Sequence, residues 1–330
     1  MITKSAKPDE QVYSLTEESQ ARGALKAAPV FRRILLAVDF SDSSRRALSC
    51  AFPFLASGKE QISAVHVLKA DWRYEVLDSP PELGLEEADA WRRLHSMIDE
   101  LGPEKNLEAV LLQHGPVAQA LLSFAAKTET DLIVLGTRGL GGFQKLALGS
   151  VAEEVLRRAP CPVLTIGPKA AASSGPPDLR TLLFATDFGN GSAKALPLVL
   201  KLAALHEAKL IVLHTTPPMP ATSTNLSAYA PGTIAADELQ EWEGASRKRS
   251  LQRLKQWIPQ NTGLQQEPEY IVGIDFLPEG IVTAATERKA DLIVMGANQR
   301  GSARFAAHVP WTAVHEVLHE APCPVLTVAG

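Results

Sequence analysis

The sequence contains the short apolar stretch Asp131-Leu-Ile-Val-Leu-Gly136, which occurs again as Asp291-Leu-Ile-Val-Met-Gly296. Each copy is a continuous apolar run that ends in glycine, as is typical of a strand covered by helices on both faces. Two more pairs recur in the same order: Leu36-Ala-Val-Asp-Phe40 with Phe184-Ala-Thr-Asp-Phe188, and Ala159-Pro-Cys-Pro-Val-Leu-Thr165 with Ala321-Pro-Cys-Pro-Val-Leu-Thr327. Ordered repetition of this kind predicts two copies of one domain.

The domain boundaries follow from the repeat. The 330 residues are enough for two domains of ~100–200 residues each. We expect a first domain over residues 30–168 and a second over 178–330, joined by a linker over 169–177 that is rich in small and turn-forming residues. Residues 1–29 match nothing in the second copy, and we expect them to form a flexible arm.

Short β-branched runs alternate with longer amphipathic segments in the first copy. The predicted strands are Ile34–Asp39, Ile62–Leu68, Leu107–Gln113, Asp131–Gly136 and Val163–Gly167. The predicted helices are Asp42–Ser57, Leu83–Leu101, Val117–Lys127 and Ser150–Arg158. This alternation predicts an α/β fold of two tandem, doubly wound domains, each with a five-stranded parallel sheet. In such a sheet a ligand binds outside the carboxyl ends of the strands.

Composition argues against several classes of partner. The formal net charge is −4 and the isoelectric point is about 6.1, whereas non-specific nucleic-acid binding needs a basic surface. No apolar run is long enough to span a bilayer, and the amino terminus lacks the apolar core of a signal peptide. We therefore expect a cytoplasmic protein without nucleic-acid or membrane partners. The three cysteines form no disulfide framework and are interpreted as small buried residues.

A glycine-rich loop follows the fourth predicted strand. Its spacing is Gly136-x2-Gly139-x9-Gly149-Ser150, and a helix begins after it. Glycines let backbone N–H groups approach an anion, and the amino terminus of a helix favours phosphate. Arg138 and Lys145 add positive charge to the loop. The spacing is neither that of a Walker P-loop nor that of the G-x-G-x-x-G fingerprint.

The same loop has a purely structural alternative. Ser150-Val-Ala-Glu153 has the pattern of a capping box, in which Ser150 would serve only the helix, and the glycines would form a turn. The position of the loop favours a ligand site over this structural alternative. The loop follows the carboxyl end of one predicted strand, and Asp39 lies at the end of another.

The loop and the repeat together resemble the ATP-binding branch of the universal stress protein family, in its tandem form. The family pattern G-x2-G-x9-G-(S/T) is matched without a gap, and the resemblance covers both copies, including His66 and His214 at the ends of the second strands. It implies a Rossmann-like domain of the adenine nucleotide alpha hydrolase type, with ATP or ADP as cofactor, with or without Mg²⁺. It places Asp39 near the ribose and adenine, and Ala37, Val38 and Val67 against the base. The ribose and phosphates would be held by Gly136, Arg138, Gly139, Gly149, Ser150 and Val151.

The second copy departs from the pattern. It reads Gly296-x4-Gly301-x9-Trp311-Thr312, so that tryptophan stands where the first copy has Gly149 and Ala307 stands where it has Lys145. A large indole at the start of the helix would occupy the space of the phosphates. We expect a degenerate nucleotide site there, with Arg304 and His308 as the residues to watch for another ligand.

A zinc-like motif also occurs in the second copy. His315-Glu-Val-Leu-His319 matches H-E-x-x-H, but the equivalent segment of the first copy is Glu153-Glu-Val-Leu-Arg157. We interpret the motif as a solvated helix face rather than a zinc site, with adventitious zinc binding as the weaker alternative, and we assign no metal ligands.

Three function hypotheses remain. The first is a stress-response module in which nucleotide occupancy of the first domain changes contacts with a protein partner. The second is a slow ATPase or self-phosphorylating enzyme, with Ser150 as acceptor and Asp39 as the nearest base, although no catalytic residue is assigned. The third is a nucleotide-free dimeric scaffold. The terminal strands Pro162–Ile166 and Pro324–Val328 have edges that can pair with one another, and we also expect a homodimer through such strands.

Overall fold

The structure is a computed structural model that describes residues 30–51, 54, 60–68, 83–100, 107–112, 115–137, 148–170, 178–216, 236–260, 262–274, 277–297 and 311–330. The predicted amino-terminal arm and most of the predicted linker lie outside these residues.

The described residues form ten strands and eight helices. The strands are β1 (Arg33–Ala37), β2 (Gln61–Val67), β3 (Leu107–Leu112), β4 (Leu132–Gly136), β5 (Val163–Ile166), β6 (Thr181–Ala185), β7 (Lys209–Thr216), β8 (Glu269–Ile274), β9 (Leu292–Ala297) and β10 (Val325–Ala329). The helices are α1 (Asp42–Ala51), α2 (Leu83–Asp99), α3 (Val117–Lys127), α4 (Ser150–Arg158), α5 (Asn190–His206), α6 (Ala236–Trp257), α7 (Leu277–Glu287) and α8 (Trp311–Glu320).

The ten strands form one continuous sheet in the order β3-β2-β1-β4-β5-β10-β9-β6-β7-β8. Within each half all neighbouring strands are parallel, as the sequence predicts, with Ile34 of β1 opposite both Ile62 of β2 and Leu132 of β4. The halves meet where β5 and β10 pair antiparallel, with Leu164 opposite Leu326. The two predicted five-stranded sheets are therefore present and are fused edge to edge.

Helices cover both faces of this sheet and bury two apolar layers. On one face α1, α2, α5 and α6 pack on side chains such as Leu36 and Phe184. On the other face α3, α4, α7 and α8 pack on neighbours such as Leu35 and Leu183. Successive strand residues thus point into opposite layers. Because both layers are buried, the strands are continuously apolar in sequence.

The joint between the halves has local two-fold character. The buried Thr165 donates its hydroxyl to the carbonyl of Val325 at 3.1 Å, and the buried Thr327 donates to that of Val163 at 3.2 Å. Lys169 and Glu320 form an ion pair at the edge of the same joint. Because β5 and β10 occupy each other's edges within the chain, the expected homodimer through terminal strands has no open β5 or β10 edge in this arrangement, and self-association stays a prediction.

Two further features bear on the sequence predictions. No helix among the described residues is long and apolar enough to cross a membrane. Cys50 and Cys323 are buried and Cys161 is half-buried. Burial raises the pKa of the Cys50 thiol to about 11 and those of Cys161 and Cys323 to about 12, which suppresses the reactive thiolate.

Candidate functional site

The first component of the site is the turn that follows β1. Asp39 is half-buried, and its Oδ1 accepts hydrogen bonds from the backbone N–H of Ser41 at 3.0 Å and from its hydroxyl at 2.5 Å. The carbonyl of Val38 lies 2.7 Å from Nδ1 of His66, and since a carbonyl oxygen only accepts, Nδ1 carries the proton. These bonds fix the turn and the Asp39 carboxylate at the carboxyl end of the strand.

The turn contains a strained residue. Phe40 has φ of 62°, in the left-handed region that a bulky side chain adopts at a cost of about 1–3 kcal/mol. Its ring packs against the His66 ring with centroids 4.3 Å apart, and the guanidinium carbon of Arg93 lies 4.2 Å from its centroid. These contacts offset the strain.

The second component is the end of β4. A Cβ atom on Gly136 would lie 2.6 Å from Cβ of Ser43 on α1, so only glycine permits this approach of helix and strand. The following Thr137 is buried and accepts a 3.0 Å hydrogen bond from the N–H of Gly149. The loop between these two residues is therefore closed at its base.

The third component is the amino terminus of α4. Gly149 is the N-cap, with φ −60° and ψ 141°, and as a glycine it has no side chain with which to cap the helix. Ser150 is already the first helical residue and is exposed, and the Glu153 carboxylate accepts hydrogen bonds from Arg157 at 3.0 and 3.1 Å. The capping-box alternative is therefore wrong. The first N–H groups of α4 need partners, and they carry the positive end of the helix dipole.

These components meet at the switch point of the first half. Strands β1 and β4 are neighbours, and the connections from them leave in opposite directions to β2 and β5. Val38 and Val67 are each 5% exposed at the ends of β1 and β2, while Ala37 and Val151 are half-buried. The structure thus brings together eight predicted residues: Ala37, Val38, Asp39, Val67, Gly136, Gly149, Ser150 and Val151. The other two, Arg138 and Gly139, lie outside the described residues.

The second half repeats the turn but not the helix start. Oδ1 of Asp187 accepts from the N–H of Gly189 at 2.8 Å and from the hydroxyl of Ser192 at 2.7 Å, and Nδ1 of His214 donates to Thr186 O at 2.8 Å. Helix α8 begins with Trp311 itself, the residue that replaces Gly149. Gly301, Arg304, Ala307 and His308 lie outside the described residues.

The walls of the second cleft are also more polar. Thr186 and Thr215 stand where the first half has Val38 and Val67, and both line a small depression with Leu213, Leu277 and Ile281. Thr186 Oγ1 accepts from the N–H of Phe188 at 3.0 Å, whereas the buried hydroxyl of Thr215 has no hydrogen-bond partner in the part of the chain that the structure describes. The two halves therefore present different surfaces at equivalent places.

The zinc-like motif lies at the joint between the halves. His315 is half-buried, and its pKa is lowered by burial and, more weakly, by Arg157 of α4, against an opposing effect of Glu153. Nδ1 of His319 lies 2.7 Å from Oε1 of Glu320. This face of α8 is thus not the solvated face expected from the sequence. Among the described residues, no group of three or more His, Cys, Asp or Glu side chains is placed to hold a metal ion.

Sequence reasoning missed Ser41, which orients Asp39, and the Arg93–Phe40–His66 stack. The signal for the stack is the repeat itself, because phenylalanine and histidine recur at Phe188 and His214 and arginine recurs at Arg253. Only the structure shows that these residues touch.

Comparisons with known proteins agree with the repeat. Residues 31–167 and 179–329 each match the Universal stress protein family. A universal stress protein of Methanocaldococcus jannaschii is 32% identical over 146 residues, which cover 42% of this chain and 82% of that protein. One from Thermus aquaticus is 36% identical over 140 residues, covering 42% of this chain and 99% of that protein.

Solved structures of double length share the arrangement. A universal stress protein from Archaeoglobus fulgidus superposes with a TM-score of 0.61 at 18% identity, covering 91% of this chain and 96% of that one. A protein of unknown function from Pseudomonas aeruginosa superposes with a TM-score of 0.60 at 17% identity, covering 93% and 94%. At this identity the likeness shows the fold alone.

Proposed function

Because the chain belongs to the universal stress protein family, with one family domain in each half, we propose that its first half binds ATP or ADP and acts as a regulatory or interaction module in the stress response. The observation that carries the proposal is the start of α4, where the N-cap residue is a glycine. Gly149 presents backbone without a side chain there, next to the carboxyl ends of β1 and β4. A polyphosphate is the ligand that this electropositive helix end fits best.

The remaining residues fit an adenine nucleoside. The apolar Ala37 and Val67, which pack in the layer of α3 and α4, offer a wall for the base, and Val38 follows Ala37 with its side chain in the opposite layer. Of the two oxygens of the Asp39 carboxylate, only Oδ1 accepts hydrogen bonds from described residues. Oδ2 is therefore available to a ribose hydroxyl. In this proposal Arg138 and Gly139 complete the phosphate site, and any Mg²⁺ arrives with the nucleotide phosphates.

The second half has Trp311 at the position equivalent to Gly149, and this difference suggests the variants for the test. Calorimetric titration with ATP is expected to give about one nucleotide per chain for the wild type. Gly149→Trp should weaken binding roughly 100-fold or more, about 2.7 kcal/mol, because the indole occupies the phosphate position. Trp311→Gly makes the reverse change in the second half and should leave the first site intact.

Two outcomes would overturn the proposal: a wild type that takes up no adenine nucleotide, or a folded Gly149→Trp variant that binds as well as the wild type. Thermal melts of all three proteins separate loss of binding from loss of folding. Phosphate release above background, abolished in Asp39→Ala, would instead favour the enzymatic alternative.

A further inference from the structure

We infer that Arg93 is a positioning residue for the proposed nucleotide site, although it lies on α2, on the face of the sheet opposite α4. Its side chain covers the ring of Phe40 and so holds the turn that presents Asp39. The inference rests on the proposed function and adds to it a contact between α2 and the turn at the end of β1.

Phe40 is the residue through which Arg93 acts. Its left-handed backbone, with φ of 62°, is unfavourable for a phenylalanine and must be held by contacts of the ring. That ring is 9% exposed and lies against His66 and beneath the guanidinium of Arg93. Arg93 also lies 4.0 Å from Asp89, but both partners are about half-exposed, and such a pair contributes little.

In the second half, the equivalent turn has an equivalent stack of phenylalanine, histidine and arginine. Phe188 has φ of 59°, its ring centroid lies 4.6 Å from that of His214, and the guanidinium carbon of Arg253 lies 4.0 Å from the ring. Both halves therefore make the same two contacts around the same strained residue. In the second half Phe188 also packs edge-on against Trp257, with centroids 5.6 Å apart.

The turn transmits its geometry directly to the site. Phe40 stands between Asp39 and Ser41, and Ser41 donates both its N–H and its hydroxyl to Oδ1 of Asp39. If Phe40 leaves the left-handed region, the N–H of Ser41 turns away and the carboxylate is released. The fraction of chains that can bind nucleotide then falls, and the apparent dissociation constant rises in inverse proportion.

The repeat supplies a matched pair of variants for the test. Arg93→Ala should weaken ATP binding by up to roughly fivefold, the factor that corresponds to complete loss of one exposed cation–π contact. Arg253→Ala removes the same contact from the second half and should leave ATP affinity unchanged. Amide hydrogen exchange without nucleotide should be faster at Ser41 in Arg93→Ala and at Gly189 in Arg253→Ala, each only in its own half.

The outcomes separate this inference from the proposed function. Wild-type affinity in Arg93→Ala, or equal weakening by both variants, would overturn the inference while ATP binding itself stands. If the wild type binds no ATP, the proposed function fails, and exchange at Ser41 decides: acceleration in Arg93→Ala supports the positioning contact, and unchanged exchange refutes it.

Discussion

At the scale of single residues, two equivalent glycines set how closely a helix approaches the sheet. A Cβ atom on Gly136 would lie 2.6 Å from Cβ of Ser43, and one on Gly296 would lie 2.3 Å from the backbone nitrogen of Ser192. Real side chains do not tolerate such distances. In both halves the first helix must therefore move away if these positions gain a side chain.

We expect Gly136→Ala and Gly296→Ala each to lower the free energy of unfolding by about 1–3 kcal/mol, because overpacking forces the backbone apart. Urea denaturation measures the change. The control is Gly244→Ala, an exposed helical position where a Cβ meets nothing within 4 Å. It should stabilise by about 0.5–1 kcal/mol. Equal effects at all three positions would contradict the account.

At the residue scale, the sequence identifies positions such as Gly136 and Ser150, but it does not give the structural role that each residue has. Gly136 was predicted from its spacing as a residue that lets an anion approach the backbone, and the structure adds that helix packing alone already requires glycine. Ser150 was open to a capping interpretation because the loop geometry, which decides whether Gly149 or Ser150 is the N-cap, is not readable from a four-residue pattern. The left-handed Phe40 was not predicted, since nothing local to the sequence favours it.

At the scale of elements, the antiparallel pair of β5 and β10 carries the joint between the halves. The hydroxyls of Thr165 and Thr327 donate across it to backbone carbonyls in a buried setting. Each such hydrogen bond contributes modestly on its own, and the two are related by the local two-fold arrangement.

Replacing either hydroxyl by a methyl group tests this joint. Thr165→Val and Thr327→Val should each cost about 0.5–1.5 kcal/mol of unfolding free energy in urea. Thr215→Val is the matched control, because its buried hydroxyl finds no partner in the described parts of the chain. That variant should be neutral or stabilising. A cost at Thr215 as large as at the joint would refute this assignment of the hydrogen bonds.

The bounds of helices and strands are the features that the sequence predicts best. The bounds of α3 and α4 agree with those predicted, and strands differ by a residue or two at their ends. The first helix is described to Ala51 rather than the predicted Ser57, and most of that difference lies outside the described residues. That β5 and β10 could pair was also predicted. Their antiparallel direction was not, because a strand edge looks the same in sequence for either direction.

At the scale of the whole molecule, one continuous sheet places two related clefts in a single chain. The clefts share the aspartate turn and the strained phenylalanine, and they differ at the helix start, Gly149 against Trp311. We propose that the first half binds a polyphosphate, whereas the second keeps the fold and has Thr186 and Thr215 in place of Val38 and Val67. Among described strands, β3 and β8 form the outer edges and are the places to examine for self-association.

The most direct test of this asymmetry is a crystal structure of the full chain with an adenine nucleotide. We predict phosphate density against the backbone of Gly149, Ser150 and Val151, the base beside Ala37 and Val67, and no nucleotide at Trp311. An empty first cleft at saturating nucleotide, or density in the second cleft instead, would contradict the account.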